Sequence, residues 1–323
     1  MTSGTKVLAG GVALLLWVSC APREQSDVAP QPRAATGSPI PAGISYEKEI
    51  TSWQQDRVAN LRKDGSWLTL VGLYWLHPGA NPVGSGRSNT VLLPEGKAPA
   101  TAGSFLVEGE TVRVEARAGS GITSGGKPVT SLELKSDENG DPTELKLGSL
   151  TFYLIKRVGK YGIRVKDSET ALRVNFQGLD YFPIAPVWRI EARFEPFNPP
   201  RKIPIVNVLG MTEDEPSPGQ IVFEVDGSEY RLDPILEEGS TDLFVIFRDG
   251  TAGKETYGAG RFLYADPPKD GRVILDFNRA YNPPCAFSPF ATCPLPPRQN
   301  RLPFRIEAGE KVFHGAGHAV PPT

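Results

Sequence analysis

The sequence predicts a mostly β protein with an N-terminal helix, a small β-sandwich, and a C-terminal antiparallel β-barrel or sandwich closed by a proline-rich loop. The 323 residues include 34 glycines and 31 prolines, which separate many short runs of β-branched and aromatic residues. Such spacing is typical of short strands joined by tight turns. Strand-like runs do not alternate with helix-length segments, so the pattern does not favour a doubly wound parallel sheet.

The charged residues exclude one class of partner. Lysine and arginine number 35 against 37 aspartates and glutamates, which gives a net charge of −2. A nucleic-acid-binding protein concentrates basic residues on one face or along one helix. The sequence contains no such cluster, and we expect no nucleic acid partner.

The first 20 residues have the features of an export signal. Lys6 precedes an apolar run, Val7 to Val18, which has the length of a signal-peptide core and is short for a membrane span. The run ends at Cys20 in a sequence, WVSC, that is similar to a bacterial lipobox, although tryptophan stands where leucine is usual. We therefore expect a signal peptide and a lipidated Cys20. The alternatives are a plain secreted protein and an uncleaved anchor helix.

These features predict the location of the protein. A lipidated Cys20 implies an exported lipoprotein, anchored in a membrane of the cell envelope on its periplasmic side. Because Ala21 rather than aspartate follows the cysteine, similarity to sorting signals implies the outer membrane rather than the inner one. Residues 21–43 hold five prolines and few large apolar side chains, so we expect a disordered tether there.

One helix and two β regions are expected after the tether. Residues 44–63 have helical periodicity, with Ser45 as the N-cap and Gly65 as the stop signal. We assign residues 44–155 to this helix plus the β-sandwich and residues 156–323 to the C-terminal β domain. Strands are expected at 243–247, 261–264 and 273–277, with a last strand near 302–306.

The β-sandwich has its own resemblance. The order of short strands and glycine-rich turns between Gly84 and Pro128 is loosely similar to that of a forkhead-associated domain. Domains of that type bind phosphothreonine through a serine and an arginine in their loops. Arg87 and Ser88 stand in a comparable place here, but the Ser-x-x-His element is absent. We therefore interpret the similarity as one of architecture.

Residues 278–301, which we call the clamp, contain many prolines and cannot form a long strand or helix. The clamp also carries aromatic residues and two cysteines, Cys285 and Cys293, which a solvated linker does not need. In an exported chain such a pair predicts a disulfide. The alternatives are two reduced buried thiols, or a metal site completed by His314 and His318. The spacing of the cysteines disfavours zinc, and we expect no metal and no cofactor.

A dense set of hydrogen-bonding side chains surrounds the clamp. Arginine and asparagine side chains can hold a carboxylate or phosphate with fixed geometry, so we predict a pocket for a small polar or anionic ligand. Its expected binding residues are Tyr257, Arg261, Asn278, Arg279, Asn282 and Asn300. The alternative is a buried polar network that fastens the clamp to the β domain.

No familiar catalytic signature is present. The sequence has no G-x-S-x-G, no P-loop and no H-E-x-x-H. If the protein is a hydrolase, we expect Asp249 or Asp276 as the base, with Glu307 and Glu310 as weaker candidates nearer the surface. A binding module is our first hypothesis. A hydrolase and a purely structural envelope lipoprotein are the alternatives.

Several motifs resemble one family. FNRAYNPPCAF (277–287), ATCPLPP (291–297) and QNRL (299–302) followed by AGEK (308–311) are similar to the hallmark of the family called domain of unknown function 1684. Further pieces agree with it: DGSWLTLVGLYWL (64–76), YGIRVKD (161–167), YFPIAPVWRIEARF (181–194) and DGTAGKETYGAGRFL (249–263). The resemblance covers most of residues 53–311 and implies no reaction.

Overall fold

The computed structural model describes Met1 and residues 45–315, and it confirms a mostly β fold with an N-terminal helix. The helices are α1 (Tyr46–Arg62) and the short α2 (Ala171–Val174). Single 3-10 turns occur at Trp67–Thr69, Asp137–Asn139, Pro186–Trp188, Phe277–Arg279, Pro284–Ala286 and Arg298–Asn300.

The strands of the first half are β1 (Leu70–Trp75), β2 (Gly79–Gly84), β3 (Val91–Leu92), β4 (Gly103–Glu108), β5 (Thr111–Ala116), β6 (Thr123–Ser124), β7 (Lys127–Pro128), β8 (Ser131–Glu133), β9 (Leu145–Leu147), β10 (Leu150–Arg157) and β11 (Lys160–Asp167). Those of the second half are β12 (Arg189–Val206), β13 (Thr212–Val225), β14 (Ser228–Leu232), β15 (Ile235–Leu236), β16 (Leu243–Phe247), β17 (Arg261–Ala265) and β18 (Arg272–Asp276).

Helix α1 begins and ends close to the predicted positions. The Ser45 side chain accepts a hydrogen bond from the Lys48 amide at 3.4 Å, so the predicted N-cap is confirmed. Gly65, at φ +79°, adopts the left-handed conformation that lets the chain turn away after the helix. None of the helices formed by residues 45–315 has the length and apolar character needed to span a membrane.

The first half is a two-sheet β-sandwich, as predicted. One sheet has the order β3-β2-β4-β5-β8 and the other β1-β11-β10-β9-β6-β7. Their inner faces share one core, in which Phe105 meets Phe152 edge to face with ring centroids 6.4 Å apart. Strand β10 crosses the predicted domain boundary at residue 155 and pairs along its length with β11. The sandwich therefore continues to Asp167.

The second half contains two antiparallel sheets around a second core, in agreement with the predicted C-terminal β domain. One has the order β14-β13-β12-β18 and the other β15-β16-β17. Trp188, Phe247 and Phe277 lie in their common core. Strands β12 and β13, with 18 and 14 residues, are the longest of the described chain.

The clamp is irregular, as expected, and it joins the two parts of the C-terminal region. Tyr281 exchanges two backbone hydrogen bonds of 2.9 Å with Phe262 of β17. Farther along, the Leu295 amide donates to the carbonyl of Val206, at the end of β12, at 2.8 Å. The clamp thereby connects β17 to the distal end of β12.

The strand expected near 302–306 is absent, and that prediction is wrong. Pro303 has no amide hydrogen to donate to a neighbouring strand. The Ile306 amide donates instead to the Asp249 carboxylate at 2.8 Å. A side chain thus takes the place of a strand partner.

Candidate functional site

The predicted site residues are distributed among separate buried networks and are not gathered into one pocket. In the first network Arg261, only 1% exposed, donates to the Asp249 carboxylate at 3.2 Å and to the Ile306 carbonyl at 3.0 Å. The other Asp249 oxygen accepts from Ile306 and from the amide and hydroxyl of Thr251, at 2.8–3.1 Å. Burial lowers the pKa of Arg261, and Asp249 acts in the opposite direction. This pair fastens the chain segment after the clamp.

The second network attaches helix α1. One Asp276 oxygen accepts from the Tyr46 hydroxyl at 2.7 Å and from the Asn278 amide at 3.1 Å. The Asn278 side chain bonds both backbone groups of Ala185 at 3.0 Å. Arg279 forms an ion pair with Glu49 of the helix. Burial raises the pKa of Asp276, and its hydrogen bonds act in the opposite direction.

The third network is centred on Glu310, which we expected near the surface and which is in fact fully buried. Its carboxylate accepts from Arg57 Nε at 2.8 Å and from the Asn282 amide at 2.7 Å. Burial raises the pKa of Glu310 against the effect of Arg57. A Cβ on Gly309 would lie 2.4 Å from the Ala280 carbonyl oxygen. These contacts pack the AGEK motif against the NRAYNPP motif.

Two further predicted residues also bond the backbone. Asn300 donates to the carbonyls of Asp233 and Ile246, both at 2.9 Å. The Tyr257 hydroxyl donates to the Cys285 carbonyl at 3.2 Å. Burial raises the pKa of Tyr257. Their bonding fits the network alternative better than it fits a pocket.

An unpredicted cleft lies between the β-sandwich, strands β12 to β17 and the clamp. It consists of two adjoining cavities of about 370 and 410 Å³. Among the residues lining both cavities are Trp67, Glu237, Phe244, Phe262, Pro284 and Pro294. Of the predicted residues, Cys293 lines the first cavity and Asn282 the second.

Arg164 of β11 lines the first of these two cavities. It is 4% exposed, and its guanidinium lies 5.3 Å from the Trp67 ring centroid. It donates to the hydroxyls of Tyr153 at 3.4 Å and Thr292 at 3.3 Å, while Nε has no partner. Within residues 45–315 no carboxylate forms an ion pair with Arg164. A buried cation without an anion is energetically costly, so this arrangement is suited to an anionic guest.

The lining of the first cavity also contains a group of acidic residues, which we call the acidic wall. These residues are Glu213, Glu215 and Glu237. Glu213 accepts from the Val158 amide at 3.1 Å and Glu237 from the Tyr264 hydroxyl at 2.5 Å, whereas Glu215 has neither a hydrogen-bond nor an ion-pair partner in the described chain. Burial, with added repulsion from Glu213 and Glu237, raises the pKa of Glu215. No group of three or more histidine, cysteine or acidic residues in 45–315 is placed to hold a metal ion.

The two clamp cysteines stand side by side as free thiols in this structure. The Cys285 amide donates to the Cys293 sulfur at 3.1 Å. A side-chain hydrogen bond with Cys293 lowers the pKa of Cys285 despite its burial, and Arg164 acts in the same direction. Burial raises the pKa of Cys293. The disulfide between Cys285 and Cys293 therefore stays a prediction, which a mass measurement before and after reduction can test.

Sequence reasoning missed Arg164, Trp67 and Glu215. The hydroxyl partners of Arg164 are 11 and 128 residues away in the chain, so no local pattern connects them. One signal was present: Ile163 and Val165 are buried in the sandwich core, which directs Arg164 to the opposite face of the sheet. The signal peptide, Cys20, the tether and His318 lie outside the described residues.

Comparison with known proteins gives a family but no activity. No curated protein matches this chain. A solution NMR structure of an uncharacterised protein from Haloarcula marismortui is 35% identical and covers 43% of this chain and 78% of its own, with a TM-score of 0.37. The family model described as "protein of unknown function (DUF1684)" matches residues 174–311. The chain therefore belongs to the DUF1684 family.

Proposed function

We propose that this protein is a binding module for a small polar or anionic ligand, and that Arg164 holds the ligand's anionic group in the cleft. The observation that carries the proposal is the buried guanidinium of Arg164, which faces a cavity of about 370 Å³ without a carboxylate partner in the described chain. Arginine recognises carboxylate and phosphate through a planar fork of donors. A pocket of this size is in the usual range for small-molecule sites.

The alternatives explain less of the molecule. A hydrolase would need an aspartate oxygen directed at a substrate, but Asp249 is 4% exposed and both its oxygens accept internal hydrogen bonds. One Asp276 oxygen accepts from Tyr46 and Asn278, and the other lies 3.9 Å from Arg279 Nε in an ion pair. A purely structural role accounts for the three networks, yet it gives no reason for an unpaired cation beside a cavity.

The location of the protein is part of this proposal. The export features of residues 1–20 support a lipoprotein in which Cys20 carries the anchor and a proline-rich tether holds the binding domain away from the membrane. Metabolic labelling with a palmitate analogue tests this. We expect label on the wild-type protein and none on Cys20→Ala, with the variant released from the membrane fraction. An unlabelled wild type would refute the anchor.

Titration calorimetry on the full-length protein tests the binding function. The probes are 3-phenylpropanoate, which combines a carboxylate with an apolar body, and inorganic phosphate. Losing a charge-assisted hydrogen bond costs about 1.5–3 kcal/mol, so Arg164→Met should weaken binding of the anion by roughly 10- to 100-fold. Arg113→Met is the matched control, because Arg113 is exposed on β5, outside the cleft. The proposal is wrong if neither anion binds, or if both variants bind as the wild type does.

A further inference from the structure

We infer that the ligand of the cleft is a zwitterion whose carboxylate is bound by Arg164 and whose ammonium group is bound by Glu215. This inference rests on the proposed binding function and specifies its ligand class. Both residues line the same cavity of about 370 Å³. Each is a charged group without a counterion among the described residues.

The other charged groups of this cavity already have partners. Arg157 forms two hydrogen bonds of 2.8 Å with the Asp137 carboxylate. Glu213 and Glu237 accept from a backbone amide and from the Tyr264 hydroxyl, as described above. Among the described lining residues, Arg164 is therefore the cation without an ion pair, and Glu215 is the acidic residue with neither an ion pair nor a hydrogen bond. A guest that neutralises both must carry one charge of each sign.

The two unpaired groups do not neutralise each other. Arg164 belongs to β11 of the sandwich, and Glu215 belongs to β13 of the C-terminal sheet. They form no ion pair although they line one cavity. Burial raises the pKa of Glu215, and repulsion from Glu213 and Glu237 adds to this effect. A ligand that carries both a positive and a negative group can contact both residues, whereas a simple anion leaves Glu215 without a partner.

A divalent metal is a poorer guest than an ammonium group. The three acidic residues of the wall do not form a metal-binding group in the described chain. An organic ammonium needs fewer ligands and less strict geometry, because its N–H donors reach separate acceptors. Glu215 has free acceptor oxygens for this purpose.

The remaining lining indicates the body of the ligand. Trp67, Phe244 and Phe262 contribute apolar and aromatic surface to both cavities. Such rings bind apolar or aromatic groups and also favour a nearby cation. The cleft therefore fits an α-amino acid with an apolar or aromatic side chain, or the equivalent zwitterionic end of a small peptide-like molecule.

Three matched probes test the inference by calorimetry on the full-length protein at neutral pH. L-phenylalanine carries both charges, 3-phenylpropanoate lacks the ammonium group, and 2-phenylethylamine lacks the carboxylate. We expect L-phenylalanine to bind at least tenfold more tightly than either of the other two. Glu215→Gln should remove this preference and bind 3-phenylpropanoate no more weakly than the wild type does. Glu224→Gln, an exposed change on the same strand outside the cleft, should behave as the wild type.

The outcomes separate the two proposals. If 3-phenylpropanoate binds as tightly as L-phenylalanine, the zwitterion inference is refuted and the anion-binding function stands. Equal binding of the amine and the amino acid also refutes the inference, since the carboxylate then contributes nothing. If no probe with a carboxylate binds, both proposals are overturned. Equal loss of both carboxylate probes in Glu215→Gln would mark Glu215 as a structural residue and refute its assigned role.

Discussion

Replacing Arg164 with methionine should leave the protein about as stable as the wild type, although Arg164 is buried. Its hydrogen bonds to Tyr153 and Thr292 are long, at 3.4 and 3.3 Å, and together contribute about 1 kcal/mol. Its packing on the Trp67 ring contributes about another 1 kcal/mol, part of which a methionine retains. Against these stands the loss of hydration of an unpaired guanidinium, which costs several kcal/mol. We therefore expect the free energy of unfolding to fall by less than about 1 kcal/mol or to rise.

Arg261→Met provides the contrast, because Arg261 is also buried but forms an ion pair with Asp249, although its Nε has no hydrogen-bond partner among the described residues. Its removal leaves the Asp249 carboxylate uncompensated in the interior and deprives the Ile306 carbonyl of a donor. Breaking a buried pair in this way costs about 3–5 kcal/mol. The two substitutions are chemically identical, so the difference between them reports only the surroundings of each arginine.

Urea unfolding followed by tryptophan fluorescence measures both effects. An unchanged slope with a shifted midpoint shows that stability alone has changed. A loss above about 2 kcal/mol for Arg164→Met, or a loss equal to that of Arg261→Met, would show that Arg164 is structural. The proposed anion site at Arg164 would then be refuted.

Three further predictions concern other parts of the molecule. Reduction of the native protein should add the mass of two hydrogen atoms if Cys285 and Cys293 form the expected disulfide, and an unchanged mass would establish free thiols. Gly309→Ala should destabilise the protein by at least about 2 kcal/mol. The reason is that φ of Gly309 is +77° and a Cβ would lie 2.4 Å from the Ala280 carbonyl oxygen. An unchanged urea midpoint would contradict the expectation that this position requires glycine. Because the pKa of Glu215 is raised above its ordinary 4.5 in the folded state, its contribution to stability is complete below that value and is lost as the pH rises through the folded-state pKa. Glu215→Gln should therefore gain stability relative to the wild type as the pH rises from below 4.5 through the folded-state pKa. A difference in unfolding free energy that does not change with pH would refute the raised pKa of Glu215.

Helix α1 and strand β16 could be predicted from the sequence because their signals are local. Ser45 caps the helix as its type and position predict. The apolar run 243–247 forms β16 within its predicted limits. Periodicity and capping depend on residues within a few positions of each other, and tertiary packing did not override them here.

The polar residues around the clamp were predicted to form a ligand pocket or a buried polar network, and in the structure they belong to three buried networks. Asp249 accepts from the Thr251 amide and Asp276 from the Asn278 amide, each two residues later. Short polar side chains commonly make this local bond to their own backbone in turns. The spacing of aspartate and its partner was visible in the sequence and favours a structural role. What the sequence does not show is whether the remaining lone pairs face water or protein.

The cleft combines residues inside the family match with residues that precede it, and this has a consequence for specificity. Residues 174–311 supply Glu215 and Thr292, whereas Trp67 and Arg164 precede the match. A chain with only the matched region would keep the acidic wall and lose the guanidinium. On the proposal above, such a chain would bind an ammonium group without selecting for a carboxylate. The β-sandwich would then be the part of this protein that makes the cleft selective for zwitterions.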